Sequence, residues 1–341
     1  MLDDLEQSAV PRSGVDVVSV DGVLATPSVS LERSYASAQE LLSDVLDQFA
    51  RNFLLNDLSP GDSHKLLERA KPNARLTLPR REPRRRESTI EQVHQARVSI
   101  RRLRSTLRTF NSTFTPEWLT PLATELSWYA AVLGEVRDLD VLRSSITSTL
   151  ELIDDDRIRT IVTSRLDRQG EAARERHAIE QTTKRYACLV DEIATIATTA
   201  QFVDGLAPHA LDALRPSMHR EWKQVTKRRR TARDEPTNEN LHRLRIELKR
   251  LQCACEVVGL VDTNHAPKVA RAATRAQTNL GAVHDEAVAS AWLRALVVAD
   301  PRLDRPLRAM AIAHERARKS AKRAWPDDVA QVVRRWERWD L

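Results

Sequence analysis

Apolar residues recur every three or four positions through most of the chain, a spacing that predicts an all-α protein. Strand-like alternation of apolar and polar residues occurs once, in VDVVSV at 15–20, and the chain contains only eight glycines. Besides two helices that begin near Ser88 and Pro236, the spacing predicts helices over 31–56, 116–133, 155–180, 182–200, 266–279, 282–299, 303–324 and 326–339.

Two stretches lack this helical spacing. Residues 1–30 are predicted to form a poorly ordered N-terminal tail. Residues 57–87 contain several prolines and the run RREPRRRE, so we expect no helix there and an exposed basic, proline-rich loop at 71–87. Such a run is either a solvated segment or a flexible arm that captures polyanions.

Glycine and proline also predict where helices end. Gly134 is expected to interrupt the helix that Pro116 opens, and Pro208 and Pro216 are expected to flank the start of a helix near residue 220. Ser88 and Glu91 have the spacing of a capping box, which favours a helix that begins there.

Two sequence elements each occur twice. VHQARVSIRRLRSTLRTF at 93–110 returns as LHRLRIELKRLQCACEVV at 241–258, and LGEVRDLDVL at 133–142 returns as LGAVHDEAVA at 280–289. Both pairs are separated by about 147 residues. The chain is therefore predicted to consist of two half-repeats, 31–200 and 201–341, each a bundle of about four helices, related by a pseudo-twofold axis.

Each copy of the first element carries basic residues in a row beside a row of apolar residues, because a helix advances about 100° per residue. The first basic row is His94, Arg97, Arg101, Arg104 and Arg108. The second basic row is His242, Arg245 and Lys249. A third basic row follows the same spacing at Arg220, Lys223, Lys227 and Arg230. One basic row is usually a solvated face, but two copies beside apolar rows favour a surface that binds a polyanion.

Charge is concentrated rather than spread along the chain. The net charge is only +6, yet Lys71 to Arg108 contains twelve basic and three acidic residues, and His219 to Arg250 contains eleven basic and five acidic residues. The remainder of the chain is therefore mildly acidic, and the basic segments are local surfaces for an anionic partner.

Cysteine content and hydropathy suggest where the protein works. Three cysteines, Cys188, Cys253 and Cys255, do not form an even disulfide framework and are expected to be reduced. The sequence has no apolar run of membrane-spanning length, and its acidic N-terminus lacks a secretory signal. We therefore expect a cytoplasmic protein with no membrane partner; its oligomeric state is left open.

The repeated elements resemble those of the CHAD family, the conserved histidine α-helical domain. The family's first motif is matched at His94, Arg97, Arg101, Arg102, Leu103 and Arg104, and its second at Gly134, Arg137, Asp138, Asp140 and Val141. The C-terminal half matches at His242, Arg245, Lys249, Arg250 and Leu251. It departs from the pattern at Gln252, where arginine is usual, and at Ala287, which corresponds to Asp140.

The resemblance covers about residues 31–340 and implies one domain with a basic central groove or pore that binds inorganic polyphosphate, at polyphosphate granules in some members. The three basic rows, together with Arg102, Arg137 and Arg250, are the expected binding residues. General nucleic-acid binding by the same groove is the alternative function; aromatic residues are not interleaved with the basic ones, as a base-stacking surface would require.

We expect no catalysis, cofactor or metal. Neither His94 nor His242 has several metal ligands nearby in the sequence, so a phosphate contact or a structural hydrogen bond is favoured for both. Asp138, Asp140 and Asp285 are expected to orient neighbouring arginines, because phosphoryl transfer would need a carboxylate–metal cluster or a positioned nucleophile.

Overall fold

The computed structural model describes residues 35–69, 89–339 and 341. Within these residues the chain forms ten α-helices and no strand, apart from an isolated bridge between Phe114 and Phe202. In chain order the helices are α1 (Ala38–Asp57), α2 (Pro60–Arg69), α3 (Thr89–Thr109), α4 (Pro116–Thr147), α5 (Asp156–Gln181), α6 (Lys184–Thr199), α7 (Ala210–Asp234), α8 (Asn238–Val258), α9 (Ala266–Ala299) and α10 (Asp304–Glu337). The predicted all-α class is confirmed.

Several helix starts follow from the local sequence. The hydroxyl of Thr237 accepts a hydrogen bond from the amide of Asn240 and so caps α8, where the sequence predicted the helix to begin. Ser37 caps α1 and Asp155 caps α5 in the same way. The predicted cap at Ser88, the tail at 1–30 and the loop at 71–87 lie outside the described residues.

Three predicted helix breaks are wrong. Helix α4 continues through Gly134, and α9 runs as one helix through Gly281. Helix α10 continues through Pro326. Helix α7 begins at Ala210, between Pro208 and Pro216 as expected, and contains Pro216. A proline inside a helix costs roughly 3 kcal/mol. In α10 the burial of apolar side chains around Pro326, namely Trp325, Val329, Val332 and Trp336, offsets this cost.

Part of the segment predicted to lack a helix is also helical. Helix α2 begins at Pro60, a residue type that is well suited to the first helical position because it needs no amide partner there. Ser59 precedes it and accepts a hydrogen bond from the amide of Asp62, which caps the helix. The prolines in this segment therefore mark a helix start as well as a break.

Packing reveals the two half-repeats. In the first half α1 packs on α3, α3 on α4, and α4 on α5; in the second half α7 packs on α8, α8 on α9, and α9 on α10. Equivalent helices also meet each other, α1 with α7, α3 with α8, and α4 with α9. Contact between equivalent elements is what a twofold axis between the halves produces. The predicted four-helix halves are confirmed, and α2 and α6 are additions to the first half.

Two hydrophobic cores lie along the long helices. The larger core takes side chains from both halves and extends to Leu133 on α4 and Val283 on α9. The smaller core begins at Leu142 and Ala289, farther along the same two helices, and includes residues of α5 and α10. The second repeated element therefore lies where one core ends and the other begins.

Candidate functional site

The first basic row lies along the accessible side of α3, whose other sides are packed against neighbouring helices. Of the α3 residues from 91 to 109, three are exposed: Gln92, Arg104 and Arg108. Arg97 and Arg101 are half-buried, and His94 is 9% exposed. Because α1, α4 and α8 cover the other sides of α3, its cations are confined to one accessible line.

A glycine in α4 lets Arg97 approach the helix backbone. The Nη1 of Arg97 donates to the carbonyl oxygen of Gly134 at 2.8 Å and to Oδ1 of Asp138 at 3.1 Å. A Cβ atom at Gly134 would lie 3.4 Å from that Nη1. The glycine does not interrupt the helix; it leaves room for the guanidinium.

The second half repeats this contact. A Cβ atom at Gly281 of α9 would lie 3.3 Å from both Nε and Nη2 of Arg245 on α8. In both halves, therefore, the arginine three residues after the motif histidine packs on the glycine of the next helix. The two sequence elements are repeated together because their side chains form one packing unit.

The two halves meet at the carboxylates of the second element. Asp138 pairs with Arg97 of its own half and also acts electrostatically on His284 and Asp285 of α9. Burial raises the pKa of Asp285, and the neighbouring charge of Arg245 opposes that rise. As expected, Asp138 and Asp285 lie against arginines, whereas Asp140 pairs with Arg174 of α5, outside the basic rows.

Two imidazoles face each other beside Arg245. The ring centroids of His242 on α8 and His284 on α9 are 4.4 Å apart, with planes inclined by 34°. Burial lowers the pKa of both histidines; the charge of Arg245 lowers them further, and His284 also lowers that of His242. The buried Nδ1 of His242 and Nε of Arg245 have no hydrogen-bond partner among the described residues.

At the other end of the rows, arginines of both halves come together. Burial lowers the pKa of Arg104, and the charges of Arg108 on α3 and Arg250 on α8 lower it further. The guanidinium of Arg104 donates to the hydroxyl of Ser127, a neutral acceptor that leaves the positive charge uncompensated. Glu221 of α7 lies near Arg108 and Arg250, but burial raises the pKa of its carboxyl.

Arg101 and Lys249 occupy equivalent positions in the first and second rows. Both act electrostatically on the buried thiol of Cys253 on α8, as does Arg102, and these cations oppose the rise in its pKa that burial causes. The middle of the first row therefore lies close to the middle of the second, where α3 crosses α8.

Two of the predicted binding residues lie beside carboxylates of α8. Arg102 is only 8% exposed, lies 3.5 Å from the carboxylate of Glu256 on α8, and stacks over the ring of Phe49 on α1. Arg250 donates to Glu247 of its own helix at 2.6 Å. Arg102 thus faces the packed interface between α3 and α8, whereas Arg250 also contributes charge near Arg104.

The third basic row divides into one anchored residue and three exposed ones. Arg220 donates to the carbonyl of Thr109, to the side chains of Asn111 and Ser112 just after α3, and to Ser217 of its own helix. Lys223, Lys227 and Arg230 are exposed and form no ion pair within the described residues. By helical position they lie opposite the buried face of α7. The structure therefore does not bring these three to the other two rows.

Arg137 belongs to the predicted binding residues, whereas His284 and Arg228 do not. Arg137 is half-buried and forms no ion pair or hydrogen bond among the described residues. The equivalent residue in the second copy of the element is His284, which was not predicted to bind, although the offset between the repeats aligns it with Arg137. Arg228 of α7 is half-buried with its Nε unpartnered in the described part of the chain, and no sequence signal separated it from Arg229.

Among residues 35–69, 89–339 and 341, no three or more His, Cys, Asp or Glu side chains are grouped so that they could coordinate a metal ion. In the same part of the chain, no helix has an apolar stretch of bilayer-crossing length.

The repeated motifs and the fold have counterparts among known proteins. The family model for the CHAD domain matches residues 73–294. The uncharacterised proteins MT2285 and Rv2226 of Mycobacterium tuberculosis, from strains CDC 1551 and H37Rv, are each 28% identical to the chain over 214 residues. Those matches cover 60% of this chain and 40% of each relative, so they span less than half the length of the relatives.

Two solved structures have a similar fold. PptA from Streptomyces chartreusis has a TM-score of 0.60 and 17% identity, over 88% of this chain and 99% of PptA. The CHAD domain from the plant Ricinus communis has a TM-score of 0.56 and 23% identity, over 88% of this chain and 93% of that domain. At these identities the structures support the fold alone, but the family model covers more than half of the sequence. The chain belongs to the CHAD domain family.

Proposed function

We propose that this chain binds long-chain inorganic polyphosphate in a groove between α3 and α8, without a chemical step. The groove is lined by the first and second basic rows, together with Arg137 and Arg250. Polyphosphate binding is the function that membership of the CHAD family implies. An association with polyphosphate granules in the cytoplasm is part of the same proposal.

The observation that carries the proposal is a cluster of positive charge from both halves, in which Arg104 and Arg108 form no ion pair within the described residues. Burial lowers the pKa of Arg104, and the charges of Arg108 and of Arg250, which is itself paired with Glu247, lower it further. This crowding of cations becomes more favourable when an anion joins them. Folding therefore holds like charges together at a place where a phosphate chain would neutralise them.

The rows also match the shape of the proposed ligand. A helix rises about 1.5 Å per residue, so the guanidinium groups from Arg97 to Arg108 follow a line of roughly 16 Å. Arginine forks donate two parallel hydrogen bonds to phosphate oxygens, which a single ammonium cannot do. A polyphosphate chain presents charge at each unit and no bases to be recognised, so a row of cations is sufficient to bind it.

The predicted residues contribute in different ways to this proposal. Arg97, Arg101, Arg104, Arg108, Arg245 and Lys249 are proposed to contact phosphates. Arg102 and Arg220 are proposed to support them, because their guanidinium groups are engaged by Glu256 and by the end of α3. Lys223, Lys227 and Arg230 are proposed to attract polyanions at longer range from the exposed side of α7.

Charge reversal in both rows tests the proposal. We expect the variant Arg97→Glu, Arg101→Glu, Arg245→Glu and Lys249→Glu to lose measurable binding of long-chain polyphosphate in fluorescence anisotropy or calorimetry at fixed salt. The matched control, Arg157→Glu, Arg165→Glu, Arg168→Glu and Arg305→Glu, makes the same change in net charge on exposed residues near the smaller core. Equal binding by the parent and the groove variant would refute the groove assignment.

Competition at fixed salt decides between polyphosphate and nucleic acid. We expect polyphosphate to displace single-stranded DNA of equal total charge, and a preference for DNA would contradict the proposal. Binding should weaken steeply as salt increases, because displaced counterions set the slope. Release of orthophosphate with Mg²⁺ that is lost in Asp138→Asn would contradict the absence of a chemical step.

A further inference from the structure

The two halves differ in the kind of charge that they offer beside the glycine of the long helix. Three residues after Gly134 the first half has Arg137, and three residues after Gly281 the second half has His284. An arginine keeps its charge at any physiological pH, whereas a histidine gains or loses it near neutrality. The substitution therefore makes one half titratable at a position where the other is permanently charged.

His284 does not stand alone, because its ring lies against that of His242. Their centroids are 4.4 Å apart, so a positive charge on either ring acts electrostatically on the other. His242 is the motif histidine of the second half and belongs to the second basic row. The pair thus lies within the groove to which the proposed function assigns the polyanion.

The charged groups around the pair come from α3, α4, α8, α9 and α10. Arg245 of α8 is the neighbouring cation, and Asp138 of α4 is the neighbouring carboxylate, already paired with Arg97 of α3. On α9, Asp285 lies against Arg245, and Glu286 is bonded to the buried His314 of α10. From α10, Arg318 reaches Asn238 in the first turn of α8.

These neighbours favour neutral imidazoles in the free protein. Burial is the main cause that lowers the pKa of both histidines, and the charge of Arg245 lowers both further. The carboxylate of Asp138 raises the pKa of His284, but this offsets the lowering only in part. A phosphate chain beside Arg245 would reverse the balance, because added negative charge favours the imidazolium form.

We propose that His242 and His284 form a proton-coupled phosphate subsite, in which the pair takes up a proton when polyphosphate enters the second half of the groove. The inference rests on the proposed function and specifies how that site is regulated. The proton comes from solvent and moves to a ring nitrogen, and it returns to solvent when the chain leaves. Binding therefore strengthens as pH falls towards the free-state pKa of the pair and weakens as pH rises through the bound-state pKa.

Calorimetry in two buffers of different ionisation enthalpy tests this coupling at about pH 6.5, the ordinary value for histidine. Long polyphosphate is the probe, because its internal phosphates do not titrate near neutrality. We expect net proton uptake by the parent protein and an affinity that rises roughly threefold to tenfold between about pH 7.5 and pH 5.5, since one pKa unit corresponds to a factor of ten.

Three variants separate the pair from other histidines. His284→Arg reproduces the residue of the first half and is expected to bind more tightly at about pH 7.5, with proton uptake reduced. The double variant His242→Gln and His284→Gln is expected to lose the uptake. His265→Gln changes a half-exposed histidine beside Asp262, outside the groove, and is expected to keep it. Because His284→Arg is predicted to gain affinity, a loss of folding cannot imitate its result.

The outcomes distinguish this inference from the function on which it rests. Polyphosphate binding with no proton uptake, or uptake that survives the double variant, would overturn the proton-coupled subsite and leave the proposed function intact. Absence of polyphosphate binding across the whole pH range would overturn both.

Discussion

The ends of the two motif helices differ more than their beginnings. On α3 the basic row continues through Arg104 and Arg108, both exposed. The equivalent positions on α8 are Gln252 and Glu256, both half-buried, and the amide of Gln252 donates to the carboxylate of Glu256. Glu256 in turn pairs with Arg102 of α3. The same helical position is therefore an exposed cation in one half and joins the two halves in the other.

The difference shows what duplication permits. One copy of the element can keep a ligand-binding surface while the other copy supplies contacts between the halves, since the two copies are covalently linked and fold together. The proposed groove therefore has a longer basic row on one side. On the other side lie a shorter row and the titratable pair His242 and His284.

The largest effect is expected at the interface between the halves. Arg102→Met would leave the carboxylate of Glu256, whose side chain is 14% exposed, without its cation, so we expect the free energy of unfolding to fall by about 3 kcal/mol. Urea denaturation followed by circular dichroism measures this. Replacing both partners, Arg102→Met with Glu256→Met, should cost less, because no charge is left buried and unpaired.

The control for that experiment is Arg108→Met on the same helix. Arg108 is exposed and forms no ion pair within the described residues, so its replacement should change stability by no more than about 0.5 kcal/mol. Equal losses of stability in Arg102→Met and Arg108→Met would show that Arg102 does not join the halves.

A second test concerns the row that extends only on α3. Arg104→Gln with Arg108→Gln is expected to weaken polyphosphate binding by roughly tenfold to a hundredfold and to reduce the salt slope by about two, because two phosphate contacts are removed. Titrations at several salt concentrations give both quantities.

Two further variants serve as references for the α3 double variant: one at the equivalent position of α8 and one outside the basic rows. Gln252→Ala, at the position equivalent to Arg104, should change affinity less than about twofold, since no phosphate contact is removed there. Arg165→Gln with Arg168→Gln removes two exposed charges near the smaller core and should have a similarly small effect. If the α3 variant behaves like this control, the longer row is not the stronger side of the groove.

The smallest effects are expected at the two glycines that contact arginine. Gly134→Ala and Gly281→Ala should each stabilise the long helix by up to about 1 kcal/mol, because alanine is the better helix former. Each should also weaken polyphosphate binding a few-fold, since the new methyl group displaces a guanidinium. The loss should be larger for Gly281→Ala, where two nitrogens of Arg245 would lie at 3.3 Å, than for Gly134→Ala, with one at 3.4 Å.

Gly170→Ala serves as the control for this pair. Gly170 lies within α5 and would also contact an arginine, Arg174 at 3.3 Å, but it lies outside the basic rows. It should change stability and leave binding unaltered. Weaker binding in Gly170→Ala equal to that in Gly281→Ala would mean that the glycine contacts do not position the groove arginines.

Much of the fold followed from the sequence, but several helix ends did not. Apolar spacing and the offset between the repeats were sufficient for the helical class, the two halves and the start of α8 at Thr237. Gly134, Gly281 and Pro326 were expected to end helices, because their local cost in a helix is roughly 1 to 3 kcal/mol. Burial of the flanking apolar residues outweighs this cost, and burial depends on neighbours that are distant in the chain.

The candidate site, too, was predicted only in part from the sequence. Helical spacing alone placed His94, Arg97 and Arg101 in a row and predicted an equivalent row around Arg245. It gave no sign that Arg102 faces Glu256, that Arg220 anchors the end of α3, or that His284 meets His242. Each of these facts depends on a partner between about 40 and 155 residues away in the sequence.

The sequence by itself therefore determined the periodic properties of this protein: the helices, the duplicated element and the alignment of cations along one side of α3 and α8. These depend on geometry within a single helix, where a residue's direction follows from its number. Only the tertiary structure decided which cations face solvent, which are paired, and which half carries the titratable pair. Those properties depend on which helix lies opposite, and the crossing of α3 with α8 and of α4 with α9 brings together residues that have no local relation.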